Sequence, residues 1–339
     1  ADAKTLADQL RAVPGYAEHW NDFNVFAQDV KSTESGISDP QTGSIKQTAF
    51  DVSFGDDGRS PRRCIMVKES VTSQNYASMR VLADKVKADV VVLLANTAEY
   101  AGCANTQGRF IAVSKDPRAA RILAHELGHV VHAYLARPQG IFHQTTPLTL
   151  AETASVFGET VTFGKLLDGV TDPAERLPLL AEHLEDQIAT VFRQVAMNRF
   201  EHACHTARRS EGELSVDRFA ELWAGTQTDM LGDAVEVTEG YRSWWSYIPH
   251  FMGSPGYVYA YAYGQLLALS VYARYQERGA SFVPSYLELL SSGGSMEPAE
   301  LGRIVGCDLE DPGFWDAGLA IVEGQLDAAE AAARKVLAA

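Results

Sequence analysis

The feature that most constrains the fold is a change in hydrophobic pattern at Asp116-Pro117. Before this point apolar residues form short β-branched runs, which predict strands at 89–95 and 108–114. After it they recur at helical spacing almost to the end of the chain, and aspartate followed by proline is a signal for a helix start. We therefore predict a mainly α fold, with a small α+β portion at 1–115 that holds a short mixed sheet and a helical portion at 116–339.

Further elements are predicted within each portion. Alternation at 50–54, a Gly-Asp-Asp-Gly turn signal and the apolar run 64–67 predict a hairpin, 70–88 fits a helix, and Gly-Cys-Ala at 102–104 is interpreted as a loop. The expected helices of the second portion span 117–136, 147–167, 173–209, 216–230, 257–278, 298–305 and 312–336. Pro178 is expected to kink the third of them.

The charge balance argues against two classes of partner. The 339 residues include 44 acidic and 29 basic side chains, for a formal net charge of −15, and no cluster of lysine and arginine stands out. Nucleic acid is therefore not expected as the main partner. The longest strictly apolar run, 90–95, is far too short to span a membrane, so no membrane association is expected. The sequence leaves the oligomeric state open.

The cysteines exclude one kind of metal site. Cys64, Cys103, Cys204 and Cys307 are far apart and form no Cys-x-x-Cys pair, which excludes a cysteine zinc cage. Free thiols are expected, with a Cys64–Cys103 bridge as the alternative. The residues after Ala1 show no signal-peptide pattern, so a cytoplasmic protein is the expectation and a secreted mature form the alternative.

The motif His125-Glu126-Leu127-Gly128-His129 predicts a zinc site. Residues four apart lie about 40° apart around a helix, so both imidazoles leave the same face, one turn apart. Glu126 follows the first ligand and can reach a water on the metal without itself binding the metal. One zinc ion per chain is expected, in a zincin-like helical portion.

A catalytic zinc usually takes three protein ligands, and the third must lie elsewhere. The metzincin extension would need Gly and His where His132 and Leu135 stand, so it fails. Glu152 lies 23 residues after His129, enough to turn and return on another helix, and is predicted as the third ligand. Glu159, two helical turns further, is predicted to orient a ligand histidine, with an ordinary exposed glutamate as the alternative. His132 is expected to pack or hydrogen-bond near the site.

Five motifs occur in order along the chain and carry a family resemblance. They are His-Glu-Leu-Gly-His at 125–129 with His132, Ala-Glu-Thr-Ala-Ser-Val-Phe-Gly-Glu at 151–159, Val-Phe-Arg-Gln at 191–194 with Phe-Glu-His at 200–202, Ile-Pro-His-Phe at 248–251 with Tyr-Val-Tyr-Ala-Tyr at 257–261, and Ser-Ser-Gly-Gly-Ser at 291–295 with Pro-Ala-Glu-Leu at 298–301. Together they resemble the oligoendopeptidase F branch of the thimet oligopeptidase family over about 115–330. The chain departs from that family upstream, where its members usually carry a long helical region.

The resemblance implies a zinc metallopeptidase that acts on peptides. Glu126 would be the general base, and the segment with His250, Tyr257 and Tyr261 would bind the substrate and the transition state. We expect Tyr257 and Tyr261 to share one helix face, being four residues apart, and Tyr259 and Tyr263 to lie in the core or in the wall of the site.

Three functional hypotheses follow. The first is a zinc-dependent oligopeptidase that hydrolyses short peptides. The second is a zinc-containing peptide-binding protein without turnover, and the third is a metzincin-like endopeptidase, against which Leu135 counts. In either enzyme the strand at 110–114 is the candidate edge to which a peptide could add by backbone hydrogen bonds.

Overall fold

A computed structural model describes Asp8, Arg11, five strands between residues 52 and 114, and the continuous run 119–338. The expected helix at 70–88 and Cys64, with its alternative disulfide to Cys103, lie outside the described residues. Cys204 and Cys307 are free thiols, as expected.

The described strands form two small sheets. The strands are β1 (Val52–Phe54), β2 (Ile65–Val67), β3 (Val91–Ala95), β4 (Gly102–Ala104) and β5 (Phe110–Ser114). The first two pair antiparallel, with Val52 opposite Val67, as the hairpin prediction requires. The other three form a mixed sheet in the order β3-β5-β4, in which β3 and β5 are parallel and β4 and β5 antiparallel.

This second sheet corrects two predictions. Gly102–Ala104 is a strand and not a loop, because three residues are too few for a periodic pattern to show. β5 is flanked on both sides, by β3 and by β4, so it is not the edge strand that we expected to accept a peptide. Both backbone edges of β5 are already paired with strands. The prediction that a peptide adds to β5 is therefore wrong.

Helices dominate the remainder of the described chain. They are α1 (Ala119–Ala136), α2 (Leu148–Ala151), α3 (Ser155–Asp168), α4 (Pro173–Gln187), α5 (Arg193–Glu211), α6 (Val216–Leu231), α7 (His250–Gly253), α8 (Tyr259–Arg278), α9 (Val283–Ser292), α10 (Pro298–Ile304) and α11 (Phe314–Ala338). Short 3-10 helices cover Arg137–Gln139, Glu239–Tyr247 and Gly279–Phe282. The mainly α fold with a small mixed sheet upstream is confirmed.

Two expected helices are interrupted. The one at 147–167 breaks after α2, because Glu152 has φ −86° and ψ 0°, outside the helical well. The one at 173–209 runs through Pro178 without ending, and its interruption is a five-residue π-helix at Ile188–Phe192. The hydrophobic pattern of the sequence did not locate either interruption, because the apolar residues stay at nearly helical spacing through both of them.

The chain divides into two compact units. The first takes its described residues from Ala1–Thr145, Ala154–Gly169 and Leu290–Ser295, and the second is formed by Thr146–Thr153, Val170–Leu289 and Met296–Ala339. The boundary at 115/116 stays a prediction.

In the first unit, α1 and α3 pack closely at a glycine. A Cβ on Gly128 would lie 2.4 Å from the carbonyl oxygen of Ala154 and 2.6 Å from the Cα of Ser155. Both contacts are with backbone, which a side-chain rotation cannot relieve. Glycine at 128 is thus what allows the chain around Ala154 to lie directly on α1.

We expect Gly128→Ala to lower the free energy of unfolding by about 3 kcal/mol, because the added methyl group forces two backbones apart. Gly164→Ala is the matched control: it lies in α3, a Cβ there meets nothing within 4 Å, and alanine should add about 0.5–1 kcal/mol. Urea denaturation of the two variants measures the difference. Equal stability of the variants would contradict the close packing.

No helix among the described residues is both long enough and apolar enough to cross a membrane.

Candidate metal centre

Helix α1 presents the two histidines of the motif side by side. The ring centroids of His125 and His129 are 5.0 Å apart, and the rings are nearly perpendicular, at 81°. Both side chains are partly buried, as is Glu126 between them. Spacing by one helical turn is thus sufficient to bring two imidazoles within reach of a single ion.

Glu152 lies in the turn between α2 and α3, close to these histidines. Ala154, two residues later, packs with its carbonyl oxygen against Gly128, next to His129 on α1. This contact holds the chain near α1 just after Glu152. One ligand atom from each of His125, His129 and Glu152 lies within 4.8 Å of the others.

This donor set fits a zinc ion. Two imidazole nitrogens and one carboxylate oxygen are a typical ligand set of catalytic zinc, which keeps a further position for water or substrate. Helix α8 also approaches the carboxylate side chain: a Cβ on Gly264 would lie 3.2 Å from Cβ and Cγ of Glu152. Sequence reasoning missed this contact, although a glycine inside a helix can signal close packing.

Glu159 contacts the imidazole of His125. Its Oε2 lies 3.2 Å from Nδ1 of His125, and its Oε1 accepts hydrogen bonds from Arg121 Nη2 at 2.6 Å and Arg121 Nε at 3.2 Å. Burial would raise the pKa of Glu159, but the hydrogen bond with His125 and the charge of Arg121 outweigh it and lower the pKa to about 2. A charged carboxylate at Nδ1 favours the tautomer that leaves Nε2 of His125 for a metal.

Arg121 is the residue of this site that sequence reasoning missed. Its side chain is almost completely buried, and its guanidinium lies 5.2 Å from the centroid of the Phe163 ring. A buried arginine needs a partner, and one carboxylate oxygen of Glu159 accepts both hydrogen bonds from Arg121. The available signal was the position of Arg121, one turn before His125 on an apolar face of the same helix.

We expect Glu159→Gln to weaken zinc binding by about 10–100-fold, because outer partners of ligand histidines set their orientation and basicity. Arg121→Met should act in the same direction, since it leaves the Glu159 carboxylate without its cation. The control is Glu211→Gln, the same change in an exposed ion pair with Arg218. Competition with a chromophoric chelator measures the affinities. Affinities within twofold of the unchanged protein would contradict a role for Glu159.

His132 is buried one turn beyond His129. Burial and the charge of His129 lower the pKa of His132 to about 4, so its imidazole is neutral near pH 7. The structure thus places it near the candidate ligands but outside the group that could hold the ion.

His250, Tyr257 and Tyr261 lie together in the second unit. Nε2 of His250 is 3.0 Å from the Tyr261 hydroxyl, and the rings of His250 and Tyr257 are stacked with centroids 5.8 Å apart. The rings of Tyr257 and Tyr261 are 5.2 Å apart. Tyr257 precedes α8. The prediction that Tyr257 and Tyr261 share one helix face is therefore wrong, although their rings are in contact.

Tyr261 keeps its proton over the whole physiological range. Burial, then Tyr257 and the charge of Glu152, raise the pKa of Tyr261 to about 12. Its hydroxyl is therefore available as a hydrogen-bond donor. Of the two tyrosines expected in the core or the wall, Tyr259 is exposed and so is not a core residue, whereas the Tyr263 ring packs against Trp315 with centroids 4.8 Å apart.

A helical fold in which one helix carries His-Glu-x-x-His and a later turn carries a glutamate is typical of zincin-type metallopeptidases. Comparison with known families identifies the chain more narrowly. The model of peptidase family M3 matches residues 63–321, and the chain belongs to that family.

Individual relatives support this family. The chain is 31% identical to oligopeptidase PepF of Bacillus subtilis over 219 residues, which cover 63% of this chain and 32% of that protein. It is 32% identical over 188 residues to an oligoendopeptidase F homologue of Borreliella burgdorferi, covering 55% and 32% of the two chains. The crystal structure of oligoendopeptidase F from Enterococcus faecium matches with a TM-score of 0.56 and 27% identity, over 64% of this chain and 39% of that one.

The chain thus spans about a third of the length of the curated relatives that it matches. The resemblance to the oligoendopeptidase F branch is confirmed.

Proposed function

We propose that this chain is a zinc-dependent metallopeptidase that hydrolyses peptide bonds in short peptides. The observation that carries the proposal is the approach of His125, His129 and Glu152, whose ligand atoms lie within 4.8 Å of one another, beside Glu126. The names of the relatives, oligopeptidase and oligoendopeptidase, support peptides as the substrate class.

His125, His129 and Glu152 would hold the ion, with Glu159 fixing the imidazole of His125. Bound zinc would lower the pKa of a coordinated water to about 7 and polarise the peptide carbonyl. Glu126 would accept the proton of the attacking water and then deliver it to the nitrogen of the leaving amine. In this scheme Glu126 moves the proton and ligates nothing.

His250, Tyr257 and Tyr261 would supply hydrogen-bond donors for the carbonyl oxygen of the substrate. Negative charge develops on that oxygen as the water attacks, and each well-placed donor contributes about 3 kcal/mol to transition-state stabilisation. Tyr261 is the strongest candidate, because it lies on α8, which approaches the Glu152 side chain at Gly264, and its hydroxyl is protonated near pH 7. His250 and Tyr257 complete the group.

A quenched fluorogenic peptide tests the proposal. Zinc-loaded protein should release fluorescence, a chelator should stop the release, and added zinc should restore it. Metal analysis of the same samples should show one zinc per active chain. Tight zinc and peptide binding without cleavage would instead support a peptide-binding protein that lacks turnover.

A further inference from the structure

We propose that Glu201 is a positioning residue: it holds the segment before Tyr257 in place through the backbone of Gly256, and thereby orients the Tyr257 ring. The inference rests on the proposed function, because Tyr257 belongs to the candidate donor group. All the residues concerned lie in the second unit.

Glu201 makes one long-range hydrogen bond from a buried position. It lies on α5 with only 7% of its surface exposed, and its Oε1 accepts a hydrogen bond from the backbone N–H of Gly256 at 2.8 Å. The two residues are 55 positions apart in sequence. This bond therefore ties the segment between α7 and α8 to the middle of a long helix.

The stability cost of burying the Glu201 carboxyl group indicates a role other than packing. Its Oε2 is buried, and among the described residues it has no hydrogen-bond partner. A buried polar atom without a partner costs stability, and an apolar side chain of similar length would avoid that cost. Packing alone would therefore favour a residue such as methionine at this position.

The segment that Glu201 binds makes its other backbone hydrogen bonds locally, from the Ser254 N–H to the His250 carbonyl and from the Tyr257 N–H to the Ser254 carbonyl. Gly256 has φ +76°, in the left-handed region, and residues 252–256 are exposed. Beyond it the chain is fixed again at Val258, which is completely buried in a cluster with Phe200, the neighbour of Glu201. Tyr257 thus lies between two attachment points, and Glu201 provides the upstream one.

Displacement at Gly256 would be transmitted directly to the donor group. The Tyr257 ring contacts both His250 and Tyr261, at centroid distances of 5.8 and 5.2 Å. His250 in turn lies 3.0 Å from the Tyr261 hydroxyl. A shift of the Tyr257 backbone by about 1 Å would misalign donors whose effect depends on position, at a cost of up to about 100-fold in rate.

Two substitutions separate positioning from packing. Glu201→Gln keeps an oxygen that can accept the Gly256 N–H, whereas Glu201→Met has similar length and no acceptor. We expect hydrogen exchange of the Gly256 amide to be about 10-fold faster in the methionine variant and near that of the unchanged protein in the glutamine variant. Equal exchange in the two variants would overturn the proposal, whatever the protein catalyses.

Turnover supplies the second measurement. Glu201→Met should lower kcat by about 10–100-fold with little change in KM or zinc content, while its thermal stability is equal or higher. Glu201→Gln should stay within about threefold. In a Tyr257→Ala background the loss caused by Glu201→Met should shrink, because the ring that it positions is already missing. Fully additive losses would overturn the route through Tyr257.

The outcomes also distinguish this inference from the proposed function. If the unchanged protein cleaves no peptide, the proposed function fails, and hydrogen exchange alone decides whether Glu201 holds the segment. If peptides are cleaved and Glu201→Met exchanges and turns over normally, only the inference fails.

Discussion

Glu126→Gln is expected to abolish peptide hydrolysis while zinc stays bound. The amide has the shape of the carboxylate but cannot accept a proton at neutral pH, so the attacking water loses its base and the leaving amine its acid. General acid–base catalysis contributes about 10²–10⁴-fold to the rate. We therefore expect kcat/KM to fall by about 10²-fold or more, because one residue performs both proton transfers. The metal should remain, because Glu126 is not among the three candidate ligands.

The control is Glu185→Gln, the same change at an exposed position on α4. It should leave kcat/KM and zinc content unchanged. Hydrolysis of the fluorogenic peptide and metal analysis are measured on the same preparations. Unchanged turnover in Glu126→Gln would refute the assigned base, and loss of zinc from it would mean that the carboxylate supports the metal.

The part of the site that sequence predicts best is the part set by helical geometry. A four-residue spacing fixes the relation of His125 and His129 wherever the helix lies, so their proximity needs no knowledge of the tertiary fold. The position of Glu152 was predicted from a distance along the chain. The structure places it near the histidines by a different route, through a turn whose approach to α1 depends on Gly128.

Sequence could not give the interactions that depend on packing between elements. In the sequence Arg121 is indistinguishable from an exposed helical arginine, because its ion pair with Glu159 forms only when α3 packs on α1. The order of strands in a sheet also depends on tertiary contacts, so the sequence could not show that β5 lies between β3 and β4 and is not an edge strand. Glu201 and Gly256 are far apart in sequence, and neither residue type predicts the hydrogen bond between them.

His129→Ala is expected to remove the zinc together with the activity. A catalytic zinc relies on three protein ligands, and with one imidazole gone only His125 and Glu152 remain, a pair that binds zinc far more weakly. We expect zinc content to fall from about one per chain to a small fraction of that after dialysis, and peptide hydrolysis to fall to background. The control is His205→Ala, an exposed histidine on α5, which should keep both.

Thermal unfolding gives a test of the same variant that does not depend on catalysis. A ligand that binds only the folded state stabilises it by about 2.7 kcal/mol at a concentration 100 times its dissociation constant. Added zinc should therefore raise the Tm of metal-free unchanged protein and of His205→Ala, and leave the Tm of His129→Ala where it was. An equal rise in all three proteins would place the zinc elsewhere and refute the ligand set, since the histidine would then contribute nothing to binding. Glu152→Gln should give an intermediate shift, because the amide oxygen remains a donor but has lost the charge that draws a divalent cation.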